Sequence, residues 1–498
     1  MVIAGLGGAV RHGCVALADG GRLLGVCGQE RITRVRGAGF NASGLPDEAL
    51  DVLLERLGRS RKDVARYVAA ETGPEYGDTP VERLDHHFAH ACAAYLTSPF
   101  TSAAVVVCDQ EAPKVSVWVA HGSSISQVDW PWTGPGFVDI YSRFGNAFGF
   151  RSDRRDHRLE ALARLHPDSR DTRAMPLVAM NAASLTVDPH LEARIEGWLG
   201  REPDRAPLSH APLAAALQAQ LGDAFGELLA AVRLRTGSEH LCLAGSFFYH
   251  SWVNTLAKRS GAFTDVFVPV DPGNGGLAVG TALHGSGAQP RPVTPYLGPA
   301  YTSQESKEVL DNCKLHYAWE SEEGVIGTAV RALQQGTLVG WFDGAMEWGP
   351  RALGARCILA NPFAPYVLEN LNHFLKRREA WRGYAISGLD HAVGEHFEGP
   401  VRSPFMEGDY RPRDPRRFVN VLPSAGAAVR IQTVGGEALP RFKRLLEAFG
   451  DATGLPFLVN TSFNGFHEPI VCSPRDAVRV FYGSGLDLLV LDQFILRK

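Results

Sequence analysis

The sequence lacks any hydrophobic run long enough to cross a membrane. Its longest apolar stretches, such as Ala103–Cys108, are far shorter than the roughly 20 residues that a spanning helix needs. Residues 1–5 show no basic segment leading into a long apolar one, so no secretory signal is visible. We therefore expect a cytoplasmic protein with no membrane partner.

Cysteine is scarce, and its pattern excludes the common cysteine-based metal sites. The eight cysteines are scattered along 498 residues and form no CxxC pair. Structural zinc and iron–sulfur sites usually carry such pairs. Several cysteines lie in apolar runs, as Cys108 and Cys242 do, which is typical of reduced thiols in a protein core.

A strong excess of charge of either sign is also absent. The formal net charge is −4, and no basic tract stands out, so no nucleic-acid partner is expected. Hydrophobic residues make up 45% and charged residues 21%, a composition that excludes intrinsic disorder for most of the chain.

Strand-like and helix-like segments alternate along the chain, which predicts an α/β fold. Leu213–Val232 is the most extended amphipathic helix pattern. No internal repeat is visible. The proline-rich segment 285–295 is the best domain boundary, and it divides the chain into domains 1–288 and 289–498. Residues 120–210 are less regular and are expected to be loops inserted into the first domain.

A histidine cluster, Asp85-His86-His87-Phe88-Ala89-His90, opens an alanine-rich helical stretch. On a helix, His86 and His90 share one face, and imidazoles at this spacing can chelate one metal ion. His87 would point elsewhere. Asp109, at the end of a predicted strand, can complete the site. The alternative is that the histidines only cap the helix or pack in the core.

Two glycine-containing turns follow predicted strands and can bring backbone N–H groups close to phosphate. The residues concerned are Gly245 in the first turn and Gly273, Asn274, Gly275 and Gly276 in the second. Neither turn has a Walker or Rossmann signature. A plain strand–helix turn is the alternative.

Two further groups of polar residues lie after the proposed boundary. Arginine forks suit phosphate and carboxylate, and arginine and lysine occur here as Arg351, Arg356, Lys376 and Arg378. Asn460, Ser462 and Asn464 follow a predicted strand and can hydrogen-bond nucleotide or carbonyl groups. A solvated helix end and a turn or N-cap are the respective alternatives.

Several of these segments, in this order, resemble the carbamoyltransferase family that includes nodulation, cephalosporin and tobramycin carbamoyltransferases. The matching segments cover almost the whole chain: Glu30-Arg31, Leu84–Ala91, Gly273–Leu283, Met346–Pro362, Arg430–Val434 and Asn460–Pro474. The segments EWGPRALGARCIL and NTSFNGFHEPIVC are long and therefore specific.

The resemblance implies a fold for each half and a reaction in two steps. The N-terminal domain should be of the actin/hexokinase ATPase type, like the tRNA threonylcarbamoyl transferases, and the C-terminal domain should be YrdC-like. The C-terminal domain would convert carbamoyl phosphate and ATP into carbamoyl adenylate. The N-terminal domain, with Fe²⁺ or Mg²⁺, would hold this intermediate while a hydroxyl of a small natural-product acceptor attacks it.

The resemblance also implies roles for the candidate residues. His86, His90 and Asp109 would hold the metal, and His12 would accept the proton of the hydroxyl. Lys376 with Arg378, and Ser462 with Asn464, look like the K-x-R and S-x-N signatures of YrdC proteins. Together with Arg351 and Arg356, these cations would neutralise phosphate charge.

Most departures from the family pattern fall in the N-terminal domain. Asn274 stands where the family has a metal-binding aspartate, and a neutral amide is a weaker ligand than a carboxylate. His250 replaces a family asparagine, and Arg158 replaces a family lysine. Adenylate formation is thus better supported than O-carbamoyl transfer.

These departures keep other readings open. N-carbamoylation, another adenylate-dependent amide or cyclisation reaction, and a non-catalytic partner subunit are the alternatives. We also expect a homodimer, and we expect the acceptor pocket within residues 120–210, because binding residues concentrate in loops.

Overall fold

The computed structural model describes residues 1–70, 79–150, 155–170, 176–181, 183–200, 207–436 and 439–498. Its elements confirm the predicted α/β class. The strands of the first half are β1 (Val2–Gly7), β2 (Cys14–Asp19), β3 (Arg22–Gly28), β4 (Val64–Ala70), β5 (Val81–Leu84), β6 (Ser102–Cys108), β7 (Val115–His121), β8 (Ser124–Gln127), β9 (Val178–Asn181), β10 (Ser184–Val187), β11 (His240–Ala244) and β12 (Asp265–Phe267). Its helices are α1 (Gln29–Thr33), α2 (Asp47–Arg56), α3 (His86–Leu96), α4 (Phe137–Ala147), α5 (Arg155–Ala163), α6 (Leu191–Leu199), α7 (Ala211–Thr236), α8 (Ser251–Arg259) and α9 (Asn274–Gly285).

The second half is also mixed. Its strands are β13 (Ala318–Trp319), β14 (Val339–Phe342), β15 (Arg356–Ala360), β16 (Ala385–Leu389), β17 (Phe397–Glu398), β18 (Gly408–Pro412), β19 (Val429–Val434), β20 (Phe457–Ser462), β21 (Leu488–Leu491) and β22 (Phe494–Arg497). Its helices are α10 (Ser303–Asn312), α11 (Glu322–Gln334), α12 (Val367–Glu369), α13 (Asp390–His396), α14 (Pro440–Thr453) and α15 (Pro474–Tyr482). Short 3₁₀-helices cover Arg61–Asp63, Pro207–His210, Ser246–Tyr249 and Pro415–Phe418, and a π-helix covers Asn370–Leu375.

The first half contains two five-stranded sheets with the same topology. Their strand orders are β3-β2-β1-β4-β5 and β8-β7-β6-β11-β12. In each sheet the first three strands of the chain pair antiparallel and the last two add in parallel. This duplication is the arrangement that the actin/hexokinase resemblance implies. It is a repeat of topology that the sequence analysis did not find.

A helix follows the last strand of each sheet, and these two helices, α3 and α9, pack against each other. The packing requires glycine on α9, because a Cβ at Gly280 would lie 2.2 Å from the carbonyl oxygen of Ala89. Helix α9 also lies against β1, where a Cβ at Gly5 would lie 2.1 Å from the carbonyl oxygen of Ala278. These close contacts hold the start of α3 near the glycine loop that precedes α9.

The expectation that residues 120–210 are loops is wrong for most of the described part. It contains α4, α5, α6 and the hairpin of β9 and β10. Helix α4 buries Phe137, Ile140, Tyr141 and Phe144, a helical spacing that the sequence analysis missed. These elements do lie between β8 and β11, so they form an insertion in the second sheet.

The strands from β13 onward form one ten-stranded sheet, in the order β13-β22-β21-β14-β15-β20-β16-β19-β18-β17. One buried apolar cluster runs along this sheet and its helices, with Trp341, Phe442 and Phe457 near its centre. The boundary predicted at residues 288/289 falls between β12 and β13 and remains a prediction. Across the described residues, the structure has no helix of the length and apolarity that membrane crossing requires.

Candidate functional site

The histidine cluster forms the first turns of α3 because Asp85 caps this helix. The Asp85 carboxylate accepts a hydrogen bond of 2.7 Å from the backbone N–H of Phe88. His86 and His90 then lie one turn apart, with ring centroids separated by 4.8 Å. Both side chains are buried. The predicted shared face is therefore present.

Asp109, directly after β6, reaches the same point. Its Oδ2 is 2.8 Å from His86 Nε2 and 3.4 Å from His90 Nε2. Its Oδ1 accepts the backbone N–H of Ser246 at 3.0 Å. The structure thus brings together the three residues that were predicted as metal ligands, and we call them the triad.

The donor set of the triad fits a metal ion. Burial would raise the pKa of Asp109, but the hydrogen bond from His86 and the nearness of His90 hold it well below its usual value, so the carboxylate is ionised. Burial lowers the pKa of His90, so this imidazole is neutral. Among the described residues, neither ring nitrogen of His90 has a hydrogen-bond partner. A neutral, unpartnered imidazole beside a carboxylate is the state that binds metal.

His87 points away from the triad, as predicted. Its Nδ1 is 2.7 Å from the hydroxyl of Ser116. Burial is the main cause that lowers the pKa of His87 to about 4, so this ring is neutral and structural.

The glycine loop is a tight strand–helix turn in which Asn274 is the first residue of α9. The backbone N–H of Gly276 donates to the carbonyl of Gly273 at 2.9 Å. Gly275 is required here, because a Cβ would lie 2.3 Å from Oδ2 of Asp271. Gly245 is also constrained, with a φ of +102° and Cys108 directly beside it. Phosphate binding by these glycines remains a prediction.

The sequence analysis missed Asp271 and Tyr249. The Tyr249 hydroxyl donates to Asp271 Oδ1 at 2.6 Å, and the N–H of Gly273 donates to the same oxygen at 3.1 Å. Burial raises the pKa of Asp271, and the hydrogen bonds from Tyr249 and Gly273 act against this rise. Asp271 follows β12 as Asp109 follows β6, so the strand-end rule could have found it.

His12 is exposed and has a left-handed backbone, with φ of 62°. Its charge helps to keep the pKa of Glu30 low, against the effect of burial and after the larger effect of Arg31. The backbone of His12 lies against Gly8, and the neighbouring Gly7 lies against Asn274 of the glycine loop. Its role as a base remains a prediction.

Lys376 in the second half has an unusual environment. Its Nζ donates to the carbonyl of Ser462 at 2.6 Å and to Oδ1 of Asn464 at 2.7 Å. The Ser462 hydroxyl donates to the same amide oxygen at 2.8 Å. Burial, followed by the nearby charge of Arg378, lowers the pKa of Lys376 to about 7. The structure therefore brings together three of the residues predicted for this site.

Arg378 lies beside Lys376, and Arg382 lies beside Arg378. Arg378 donates from Nε to Asn372 at 2.8 Å and lies over the ring of Tyr384. Arg382, which the sequence analysis missed, has a side chain that is only 15% exposed, and burial lowers its pKa to about 10. Its nearest carboxylate is Glu379, at 3.9 Å. A buried guanidinium with such a weak partner is suited to an anionic ligand.

Arg351 and Arg356, predicted to act with Lys376, are not linked to it by any contact among the described residues. Arg351 donates to the backbone carbonyl of Tyr249 at 2.9 Å and so reaches the first half of the chain. Arg356 is fully buried, and its guanidinium donates to the backbone carbonyls of Asp343 and Gly344 at 2.9 and 3.0 Å. These contacts favour a structural role for Arg356.

Asn460 is also placed differently from the expectation. It is buried within the sheet, where its amide nitrogen donates to Ser387 at 2.9 Å and to the carbonyl of Ala352 at 3.2 Å. Asn460 and Ser462 are two residues apart on β20 and share a face of the sheet, but the contacts of Asn460 are already made by protein groups. They favour a role in holding the sheet together.

The chain is similar to known carbamoyltransferases along most of its length. Residues 74–283 match the family model described as Carbamoyltransferase N-terminus, and residues 330–498 match Carbamoyltransferase C-terminus. The chain is 31% identical to the uncharacterized protein sll1178 of Synechocystis, over 85% of this chain and 78% of that protein.

Two named relatives match over about half their own length. The nodulation protein NolO of Bradyrhizobium diazoefficiens is 33% identical, over 58% of this chain and 55% of that protein. The 3'-hydroxymethylcephem-O-carbamoyltransferase of Amycolatopsis lactamdurans is 30% identical, over 57% and 54%. Among solved structures, full-length HypF aligns with 57% of this chain and 46% of its own, at 14% identity and a TM-score of 0.40.

Proposed function

The chain belongs to the carbamoyltransferase family, and we propose that this enzyme transfers a carbamoyl group from carbamoyl phosphate to a hydroxyl of a small natural-product acceptor. Carbamoyl adenylate, made with ATP, is the proposed intermediate. Water cleaves carbamoyl phosphate to carbamate and phosphate. A carbamate oxygen then attacks the α-phosphorus of ATP, and pyrophosphate leaves.

The environment of Lys376 is the observation that carries this proposal. Its ammonium faces neutral carbonyl and amide oxygens and has no carboxylate among the contacts described above. A phosphate group would supply the missing negative charge and restore the proton that burial removes. Arg378 beside it, and Arg382 beside Arg378, suit the remaining phosphate oxygens.

The triad is the proposed site of the second reaction step, in which the acceptor attacks the intermediate. His86, His90 and Asp109 would hold Fe²⁺ or Mg²⁺, which supplies Lewis acidity or positions nucleotide phosphates when bound. The residues of the chain then have separate tasks. His12, at the surface beside the glycine loop, would accept the proton of the attacking hydroxyl. The glycine turns would bring backbone N–H groups to phosphate.

A cavity of about 350 Å³ lies at the inserted segment and is the proposed acceptor pocket. Trp252 and Leu256 give it an apolar wall, and Gln218 and Asp223 line it as well. Part of its wall comes from residues 164–170, within the segment where the sequence analysis expected the acceptor to bind. A mixed wall of this kind suits a small polar molecule that carries an apolar ring or chain.

N-carbamoylation is the second candidate, and Asn274 is the observation that favours it. With an amide in place of the family aspartate, the metal would be held less firmly. An amine acceptor is a stronger nucleophile than a hydroxyl and depends less on such activation. A cytoplasmic location and a homodimer are part of the proposal as well.

The proposed function is tested by pyrophosphate release from purified protein given ATP and carbamoyl phosphate. We expect release that depends on carbamoyl phosphate and falls at least a hundredfold in Lys376→Ala. Lys443→Ala is the matched control, because Lys443 is a half-exposed helix residue paired with Glu447. Release that is independent of carbamoyl phosphate, or equal in both variants, would contradict the proposal.

A further inference from the structure

A second cluster of imidazole and carboxylate groups lies outside the triad. It is also separate from the lysine site, by which we mean Lys376 with Arg378, Ser462 and Asn464. His157 and Glu160 are three residues apart on α5 and meet His250, which precedes α8. His250 Nδ1 is 3.4 Å and His157 Nδ1 is 3.7 Å from the same oxygen, Oε2 of Glu160. All three ligand atoms lie within 4.8 Å of one another.

The separations match those of ligand atoms around one metal ion. Zinc binds imidazole nitrogen and carboxylate oxygen at about 2.0–2.2 Å, so two ligand atoms of a tetrahedral site lie roughly 3.3–3.6 Å apart, close to the two nitrogen–oxygen distances seen here. His250 is buried, and its Nδ1 has no hydrogen-bond partner among the described residues. The His250 nitrogen is buried and faces the Glu160 carboxylate, but the two do not form a hydrogen bond. An ion can therefore bind between them.

The two oxygens of Glu160 are used differently. Oε1 accepts the backbone N–H of Ser251 at 2.9 Å and a hydrogen bond from Arg164. Oε2 faces the two imidazoles. In metal sites a ligating carboxylate is typically held in this way, with its outer oxygen bonded to neighbouring groups.

We propose that His157, Glu160 and His250 form a second metal site, for a transition-metal dication of the Zn²⁺ class with one open coordination position. Two histidines and one glutamate with an open position are a ligand set found in catalytic zinc sites.

Nearby arginines limit the affinity of this site for a metal ion, and they determine which ligand fits its open coordination position. Arg430 Nη2 lies 3.4 Å from Glu160 Oε2 and must move aside, although Arg430 keeps its 3.0 Å hydrogen bond from Nε to Ser251. Arg164 also donates a hydrogen bond to Glu160. Because cations surround the site, its open position should take an anionic oxygen, such as hydroxide or phosphate.

The test is metal stoichiometry of the metal-free, full-length protein, with Zn²⁺ followed by calorimetry and Co²⁺ by its visible absorption. We expect two ions per chain, the second binding more tightly when inorganic phosphate is present. His250→Asn should remove one ion, or weaken it at least tenfold, and leave the ion at the triad. His90→Ala should do the reverse.

Two further variants keep the test decisive. His157→Asn changes a partly exposed ligand and should weaken the same ion even if His250→Asn fails to fold, which thermal unfolding would reveal. His166→Asn is the matched control, because this exposed histidine lies beyond the end of α5. Unchanged stoichiometry in His157→Asn and His250→Asn, or one ion per chain that His90→Ala abolishes, would overturn the proposal.

Discussion

The triad in the first half and the lysine site in the second half leave opposite charges uncompensated. In the triad, the ionised carboxylate of Asp109 faces two buried imidazoles, of which His90 is neutral. At the lysine site, the ammonium of Lys376 faces only neutral oxygens. The first arrangement is suited to a cation and the second to an anion. The difference supports a division of labour, with phosphate chemistry in one half and a metal-assisted step in the other.

The largest effect is expected for Asp109→Asn, which should damage the triad and leave the lysine site intact. Asp109→Asn removes the negative charge of the triad. The affinity for the metal ion should therefore fall at least a hundredfold, and the rate of carbamoyl transfer about a thousandfold. Pyrophosphate release should stay within twofold of wild type. Metal analysis and both assays on one preparation check this.

Asp129→Asn is the control for that variant, because Asp129 is exposed and distant in sequence from the triad. It should match wild type in all three measurements. Equal loss of pyrophosphate release and transfer in Asp109→Asn would show that the two sites do not act separately.

The next effect concerns pH at the lysine site. Since burial lowers the pKa of Lys376 to about 7, the free enzyme loses this positive charge as pH rises above 7. The KM for carbamoyl phosphate should therefore rise by about tenfold per pH unit above that value. Lys376→Arg should flatten the profile, because arginine stays charged. Identical slopes in the two proteins would rule out Lys376 as the titrating group.

A smaller effect restores the family carboxylate near the triad. Asn274→Asp should raise metal affinity by about tenfold, because a carboxylate is a stronger ligand than an amide. Asn181→Asp, at an exposed position at the end of β9, is the control and should leave affinity unchanged. If Asn274→Asp binds metal no better, residue 274 does not face the ion.

The smallest effect concerns the contact between the two halves. Arg158 Nη2 lies 2.8 Å from Oε1 of Glu379, in the segment that also carries Lys376 and Arg382. Both partners are partly exposed, so the ion pair contributes less than about 1 kcal/mol. Glu379→Gln should raise the KM for carbamoyl phosphate by no more than about fivefold and leave kcat unchanged. A larger loss would mean that Glu379 contacts the ligand itself.

Local patterns predicted the triad because each part of it follows a local rule. Asp85 caps the helix, His86 and His90 share a face, and Asp109 ends a strand. The lysine site also followed from short motifs, since Lys376 meets Ser462 and Asn464.

The remainder depends on contacts between distant segments. Arg351 and Arg356 lie in one motif but make different contacts. Arg356 donates to a backbone carbonyl nearby in the chain, whereas Arg351 donates to the carbonyl of Tyr249, 102 residues earlier. Glu160 and His250 meet only because α5 and α8 both pack against α7. The duplicated sheets were also invisible in the sequence, because topology is retained while side chains differ.

The most direct measurement is detection of carbamoyl adenylate by rapid quench and mass spectrometry in His90→Ala, supplied with ATP, carbamoyl phosphate and candidate acceptors. A division of labour predicts that this variant forms the adenylate at the rate of wild type and accumulates it, because only the triad is damaged. Failure of His90→Ala to form any adenylate, while its fold is intact, would contradict the account.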